Sequence, residues 1–267
     1  MNYADYVKSQ VTEQDWNIIQ QLRLDLDEDG FVDFLADFVN AEKRWQTEIP
    51  FLCSHLAEYP DPKVFNSCLG SGVTSIGLKK IGIESVVSND IDEKSIKISR
   101  EEAKKYEVNL EILSYDWRSL PENLQGMFDA VLCLGNSLTY LFKREDQLKS
   151  LRNFRNILAE NGKLIIDERN YAGQILPGNF RHSGNVVYCG TDKIAVHPSY
   201  VSESMVIMEY EHKIMRKKVH IVTYPFKRGE MQGLLEEAGF GEIKAYGDYK
   251  ENFKQEEPEF ITYVCRK

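Results

Sequence analysis

No run of about 18 apolar residues occurs anywhere in this 267-residue chain, so no helical membrane span is predicted. Positive charge is in deficit. Against 42 Asp and Glu stand 33 Lys and Arg, a net charge of −9, which argues against a nucleic-acid backbone or an anionic membrane as the main partner. The opening residues, MNYADYVKSQ, lack the basic-then-apolar order of a secretory leader. Cysteine is sparse and odd in number. Cys53, Cys68, Cys133, Cys189 and Cys265 are scattered and no two have metal-ligand spacing, so no metal is expected and a reducing cytoplasm is the simplest location. There is no internal repeat and no low-complexity tract. What is present, 42% hydrophobic and 28% charged residues, is the composition of a folded globular protein. The length suits one large domain or a core with an inserted lobe.

The most informative stretch is VFNSCLGSGVTSIGLKKIGIESVVSND, Val64 to Asp90. Lys63-Val64-Phe65 reads as a buried strand, Leu69-Gly70-Ser71-Gly72 as a turn, and Val73 to Lys80 as a helix with Val73, Ile76 and Leu78 on its apolar side. A second strand, Ser85 to Ser88, leads to Asp90. Strand, glycine turn, helix, strand, acid is the order of a nucleotide-binding βαβ unit. The glycines allow close backbone approach, and a carboxylate at Asp90 can accept from both hydroxyls of a ribose. A dinucleotide fingerprint would carry a third glycine, and Cys68 stands where an early one would be. Gly70 and Gly72 also suit an ordinary strand-to-helix turn, so this segment by itself leaves both readings open.

Around it the chain alternates. Residues 1–60 read as a helical cover: Trp16, Ile19, Leu22 and Leu26 share one helical spacing, and Phe31, Phe34, Leu35 and Phe38 another. Asp27 to Gly30 separates them, and a third helix runs from Ala41 to Leu56. Residues 61–171 read as an α/β core. A helix capped by Asp92 extends to Tyr106, followed by strands at Leu110–Leu113 and Phe128–Cys133, a helix at Glu145–Leu158 stopped near Asn161-Gly162, and a strand at Lys163–Asp167. Residues 172–225 read as an inserted lobe, within which, from Asn185 to about Pro225, the period becomes two. Segments at Val186–Cys189, Tyr200–Ser202, Met205–Glu211 and Val219–Tyr224 predict an inserted antiparallel β lobe. Residues 226–267, with a helix at Arg228–Gly239 and strands at Ile243–Tyr246 and Phe260–Val264, rejoin the core sheet. The fold expected is a doubly wound, Rossmann-like α/β core with an N-terminal helical cover and an antiparallel insertion. Ligands in such sheets sit beyond the C-terminal strand ends. That places Leu69 to Gly72, Asp90, Asp116-Trp117, Gly135-Asn136-Ser137 and Arg169 around one crevice.

These motifs together resemble the class I S-adenosylmethionine methyltransferases. Within them, CLGNS at Cys133–Ser137, DERNY at Asp167–Tyr171 and the tail LLEEAGF at Leu234–Phe240 resemble the glycine and sarcosine N-methyltransferases. The resemblance runs from about Arg44 to the end of the chain. It implies S-adenosylmethionine as cofactor and S-adenosylhomocysteine as product. It implies Asp90 on the ribose, Asp116 on the adenine amino group with Trp117 beside it, and Cys68, Leu69, Gly70 and Gly72 under the methionine portion. It further implies Leu134 and Ser137 flanking the sulfonium and Arg44 on the cofactor carboxylate. For the substrate, it implies Arg169 as a carboxylate clamp with Asn136 orienting the same molecule, a role suited to a two-pronged guanidinium. Tyr188, Tyr210 and Tyr224 match tyrosines placed around the transferring methyl, and Tyr3 and Tyr6 are candidates for mobile N-terminal ones. His197 and His220 are read as structural.

Two positions depart from the family pattern: Asn66 stands where the first strand usually ends in an acid, and Cys68 where a glycine is expected. Three readings follow. The first is N-methylation of glycine, sarcosine or a close relative. The second is methylation of another small carboxylate-bearing amine in a biosynthetic pathway. The third is a non-catalytic binding protein on the same fold. A homo-oligomer is compatible with each.

Overall fold

The computed structural model of the protein describes residues 3–24, 26, 39–181 and 193–267. Val64–Asn66 (β1) leads through the glycine turn into Val73–Lys80 (α4), and Val86–Asn89 (β2) into Glu93–Lys105 (α5). Asp92 caps α5, accepting from the amides of Lys94 and Ser95. Glu111–Leu113 (β3), Phe128–Cys133 (β4), Arg144–Ile157 (α6) and Leu158–Arg169 (β5) complete the alternating part. Glu230–Glu237 (α7), Gly241–Gly247 (β9) and Phe260–Arg266 (β10) close the chain.

Seven strands form one sheet in the order β3-β2-β1-β4-β5-β10-β9. The pairs within β1 to β5 are parallel, and β10 runs antiparallel to both β5 and β9. The order reverses between β1 and β4, so a crevice opens beyond their C-terminal ends. Both faces of the sheet are covered, which is why its central strands are apolar without alternation. Val64, Ala130 and Leu132 face a layer containing Leu52 and Leu56 of Ala41–Leu56 (α3), and Phe65, Val131 and Cys133 face Leu151 and Phe154 of α6 and Leu234 of α7.

The insertion folds as a second sheet of three antiparallel strands, Ile194–Val201 (β6), Val206–His212 (β7) and Lys217–Thr223 (β8). The expected strand at Val186–Cys189, which carries Tyr188, lies outside the described residues, as do the expected breaker at 27–30 and Phe31 to Phe38.

Some boundaries differ from the sequence expectation. Tyr3–Gln10 (α1) is a helix of its own, and Glu13–Leu22 (α2) ends before Leu26, because Arg23 adopts φ +50° and closes the helix. The fifth strand begins at Leu158 rather than Lys163. Asn161 (φ +62°) and Gly162 form an irregularity within β5, where its register on β4 jumps from Phe128–Leu158 to Ala130–Lys163. The turn residues read as a helix stop are real, but they kink a strand.

Candidate active site

The glycine turn places Gly70 and Gly72 at φ +51° and +86°, in the left-handed region glycine tolerates. A side chain at Gly72 would press on Ser99 and Ile76, 3.1 and 3.2 Å away, whereas one at Gly70 would meet nothing within 4 Å. Space therefore stands open over the turn where a ligand must approach the backbone. The Gly70 amide donates to Asp90 Oδ2 at 2.8 Å and the Asp92 amide to Oδ1 at 3.0 Å. A carboxylate offers about four lone-pair sites, so these bonds leave acceptor capacity for a diol. Burial pushes the Asp90 carboxyl up, and the Asp92 and Gly70 amides oppose it.

Asn89 ties the next element in. Its side chain accepts from the Tyr115 amide at 2.8 Å and donates to the Tyr115 carbonyl at 3.0 Å, which fixes the loop carrying Asp116 and Trp117. The Trp117 indole donates to the Ser67 carbonyl at 2.8 Å, and its ring meets Phe154 edge-on. Asp116 is not a bare acceptor. Both its oxygens are bonded to the Arg118 guanidinium, at 2.6 to 3.1 Å, and Arg118 holds its carboxyl below the usual carboxylate range.

Across the reversal, the Leu134 carbonyl accepts from Cys68 Sγ at 3.0 Å and from Ser137 Oγ at 2.7 Å. Asn66 does not face this space: its amide donates to Ser75 Oγ at 2.9 Å, in a buried cluster with Ser88. Arg44 is delivered by helix packing. An added Cβ at Gly77 would lie 2.5 Å from Trp45 Nε1, so the glycine lets α3 settle on α4, and the indole donates to the Val73 carbonyl at 2.8 Å. Arg44 then reaches Thr74 Oγ1, in the first turn of α4, at 2.8 Å and Glu48 at 2.6 Å. Glu48 is fully buried and also accepts from Thr74 at 2.6 Å and Tyr249 at 3.2 Å.

Arg169 closes β5 and is buried, with 3% of its side chain exposed. Its Nη1 donates to Glu259 Oε1 at 2.7 Å, and the guanidinium stacks 4.8 Å from the Phe260 ring. Asn136, at φ +65°, accepts from the Arg169 amide at 2.8 Å and donates to Tyr171 Oη at 2.7 Å. Tyr171 Oη donates in turn to Thr223 Oγ1 at 2.9 Å, joining core to lobe. Asp167 holds the Asn136 and Gly135 amides at 2.7 and 3.2 Å.

The tyrosines divide. Tyr210 is buried on β7 in the same apolar layer as Tyr171 and Leu134. Tyr224 packs on the other side, between Phe142 and Phe226, with its hydroxyl donating to Glu230 at 2.7 Å. His197 and His220 both face Glu209. Tyr3 and Tyr6 anchor α1: Tyr3 bonds Val222 of β8, and Tyr6 donates to the Tyr140 carbonyl at 3.1 Å.

Sequence reasoning missed Thr74 beside Arg44, Glu259 beside Arg169, and Tyr171 as the link to the lobe. Glu259 lies 90 residues from Arg169, so no local pattern announces it. Tyr171 stood within the DERNY motif, and a tyrosine immediately past a central strand end was the signal for it. Among the described residues, no group of three or more His, Cys, Asp and Glu could hold a metal ion, and no helix is long and apolar enough to cross a membrane.

A sequence profile of a methyltransferase domain matches residues 64–162. The chain is 34% identical to a glycine/sarcosine N-methyltransferase of Aphanothece halophytica, over 90% of this chain and 89% of that one. It is 31% identical to a protein of the same name from Halorhodospira halochloris, over 90% and 88%. An S-adenosylmethionine-dependent methyltransferase structure from Clostridium acetobutylicum superposes with a TM-score of 0.66 at 17% identity, over 89% of this chain and 96% of that one.

Proposed function

The chain belongs to the glycine/sarcosine N-methyltransferase family, and from that premise we propose that it methylates the nitrogen of glycine or sarcosine, in the cytoplasm, with S-adenosylmethionine as cofactor. When bound, the cofactor supplies an activated methyl on a sulfonium. The residues present fit it. The open face over Gly70 admits a ligand against the backbone, and Asp90 beside it would take the ribose diol. Arg44 with Thr74 would hold the carboxylate end, and Cys68, Leu69, Gly72, Leu134 and Ser137 would line the path between. Asp116 would receive the adenine amino group while bonded to Arg118, and Trp117 would pack alongside.

The substrate's carboxylate would go to Arg169, with Asn136 setting that residue's backbone position through its bond to the Arg169 amide. Clamping one end of a small amino acid aims its nitrogen, and a site that excludes water keeps the reacting pair in line. No side chain needs to act as a base on an amine that arrives neutral. Residues 172–225 would form the substrate lid, with Tyr210 on it, and residues 1–60 a helical cover; Tyr188 lies outside the described residues. Tyr224 would act from the far side of β8 only if its bond to Glu230 breaks.

One observation carries this reading. Asp90 follows β2 and Arg169 ends β5, strands of one sheet joined through β1 and β4 by parallel pairing alone, so both groups stand on the same sheet edge. The test is a panel of amino acids incubated with enzyme and S-adenosylmethionine, read by mass for added methyls. Methylated glycine or sarcosine supports the proposal. Turnover of only some other carboxylate-bearing amine moves the assignment to that amine, and calorimetric cofactor binding without turnover on any acceptor leaves a binding protein.

A further inference from the structure

Each arginine assigned to a ligand carboxylate is backed by a buried carboxylate of the protein, and one turn holds both of those. Glu48 is fully buried behind Arg44, whose Nε donates to it at 2.6 Å. Glu259, equally buried, accepts from Arg169 Nη1 at 2.7 Å. The connection from β9 to β10 opens with a tight turn in which the Gly247 and Lys250 amides bond each other's carbonyls, at 2.9 and 2.8 Å. Its central residues, Asp248 and Tyr249, sit at φ +45° and +64°. A turn of this kind favours Asn or Asp followed by Gly. Tyrosine is therefore kept where backbone strain works against it, and such strain gathers where a side chain has a task. The contacts show what that task is. The Tyr249 ring stacks on Phe51 of α3 with centroids 4.6 Å apart, and its hydroxyl donates to Glu48 Oε2 at 3.2 Å, the oxygen that also receives Arg44 Nε. The Asp248 carboxylate serves the other arginine, accepting from the Glu259 amide at 3.1 Å and the Phe260 amide at 2.9 Å. Phe260 is registered opposite Arg169 between β10 and β5. Adjacent residues of one turn thus hold the carboxylate behind Arg44 and the backbone that presents the carboxylate behind Arg169.

We propose that Tyr249 is a positioning residue which, with Asp248, fixes the two guanidinium groups against each other, so that a carboxylate bound at Arg44 and one bound at Arg169 strengthen each other's binding. The identity of the two ligands rests on the proposed function. A ligand carboxylate at Arg44 shares the guanidinium with Glu48 and weakens the bond between them. Glu48 then leans on its remaining donors, Thr74 and Tyr249. The Thr74 bond is already short at 2.6 Å, whereas the Tyr249 bond at 3.2 Å has room to tighten. Tightening it draws on the turn and, through Asp248, settles the Glu259 and Phe260 backbone that backs Arg169. The acceptor then meets a clamp already ordered, and the same enhancement holds in reverse by linkage.

The test is calorimetry on the full chain with S-adenosylhomocysteine, which keeps the amino-acid carboxylate but has no methyl to transfer, titrated with and without saturating glycine. In the parent, glycine should raise the nucleoside's affinity at least about fivefold, and the nucleoside should raise glycine's by the same factor. Tyr249→Phe keeps the ring on Phe51 and loses only the hydroxyl; the enhancement should fall below about twofold. Asp248→Gly suits the backbone of the turn and removes the carboxylate, and should lower the enhancement likewise. Methylthioadenosine, which has the nucleoside and no carboxylate, should bind parent and Tyr249→Phe alike and show no glycine effect in either. Binding of both ligands without mutual enhancement in the parent overturns the proposal. So does an enhancement that survives Tyr249→Phe, or a loss of methylthioadenosine affinity as large as that of S-adenosylhomocysteine, which would make Tyr249 a general prop of the fold. The functional reading fails differently. A parent that binds neither nucleoside overturns the cofactor assignment, and this proposal with it. A parent that binds S-adenosylhomocysteine but no glycine overturns the acceptor assignment.

Discussion

Two neighbouring residues at the end of β5 set opposite problems. Arg169 is buried against buried Glu259, so removing one leaves the other an uncompensated charge, at a cost of about 3–5 kcal/mol. Arg169→Ala should accordingly lose stability to denaturant by that amount, besides raising the acceptor KM strongly with little change in cofactor affinity. Arg169→Lys keeps the charge but not the fork. It should retain most of the stability while still raising KM, which separates clamping from folding. Among the described residues no cation pairs with Glu168. Its carboxyl is buried and accepts from Tyr263 at 2.9 Å. Burial pushes it from 4.5 up to about 8, the Tyr263 bond resists, and Glu230 and Asp167 add to the rise. Because the folded value lies above the unfolded one, the native state holds the extra proton between these limits. The stability this group allows is complete below pH 4.5, falls as pH rises, and is gone above about 8. Glu168→Gln, which still accepts from Tyr263, should remove that slope and gain on the order of a few kcal/mol at pH 9 with little change at pH 4. Melting curves at the two pH values measure it.

At the scale of elements, the helix α1 does more than cover. Among the described residues β8 is one of the two outer strands of the lobe, and its Val222 amide donates to Tyr3 Oη at 2.9 Å, while that hydroxyl donates to the Val222 carbonyl at 3.4 Å. A strand edge that no other strand pairs with among the described residues is thereby blunted by a side chain from the other end of the chain. Tyr3→Phe leaves the Val222 amide buried without its partner and should cost about 1–3 kcal/mol. Amide exchange at Val222 should accelerate accordingly, while exchange in β1 and β4 stays at the parent rate. Such long-range ties explain what the sequence could and could not disclose. The βαβ unit, the α5 cap at Asp92 and the change to period two were legible, because each depends on residues within a few positions of one another. Asn161-Gly162 misled for a related reason: the same dipeptide ends a helix or kinks a strand, and only the pairing of Leu158 with Phe128 decides. Asp116 was read as an acceptor from its place after β3. Its commitment to Arg118, two residues on, depends on the rotamer of a long side chain, which no spacing specifies.

Over the whole molecule, the parallel sheet brings groups distant in sequence to one edge, and a hydrogen-bonded line from Arg169 through Asn136, Tyr171 and Thr223 carries that edge into the lobe. The strand order made this edge predictable, since a reversal between β1 and β4 leaves a crevice wherever it occurs. The line itself was not, because it needs the lobe's docking geometry. One feature of that edge bears on how the protein meets dissolved ions. The guanidinium at the end of β5 is already neutralised inside the fold, with 3% and 1% of the two paired side chains in contact with solvent. A zwitterionic acceptor drawn there meets short-range hydrogen bonding rather than a field reaching into the water, and counter-ions screen such contacts weakly. Turnover measured from about 0.05 to 0.5 M potassium chloride should therefore show an acceptor KM changing less than about threefold, where an exposed cation would let it climb steeply with ionic strength.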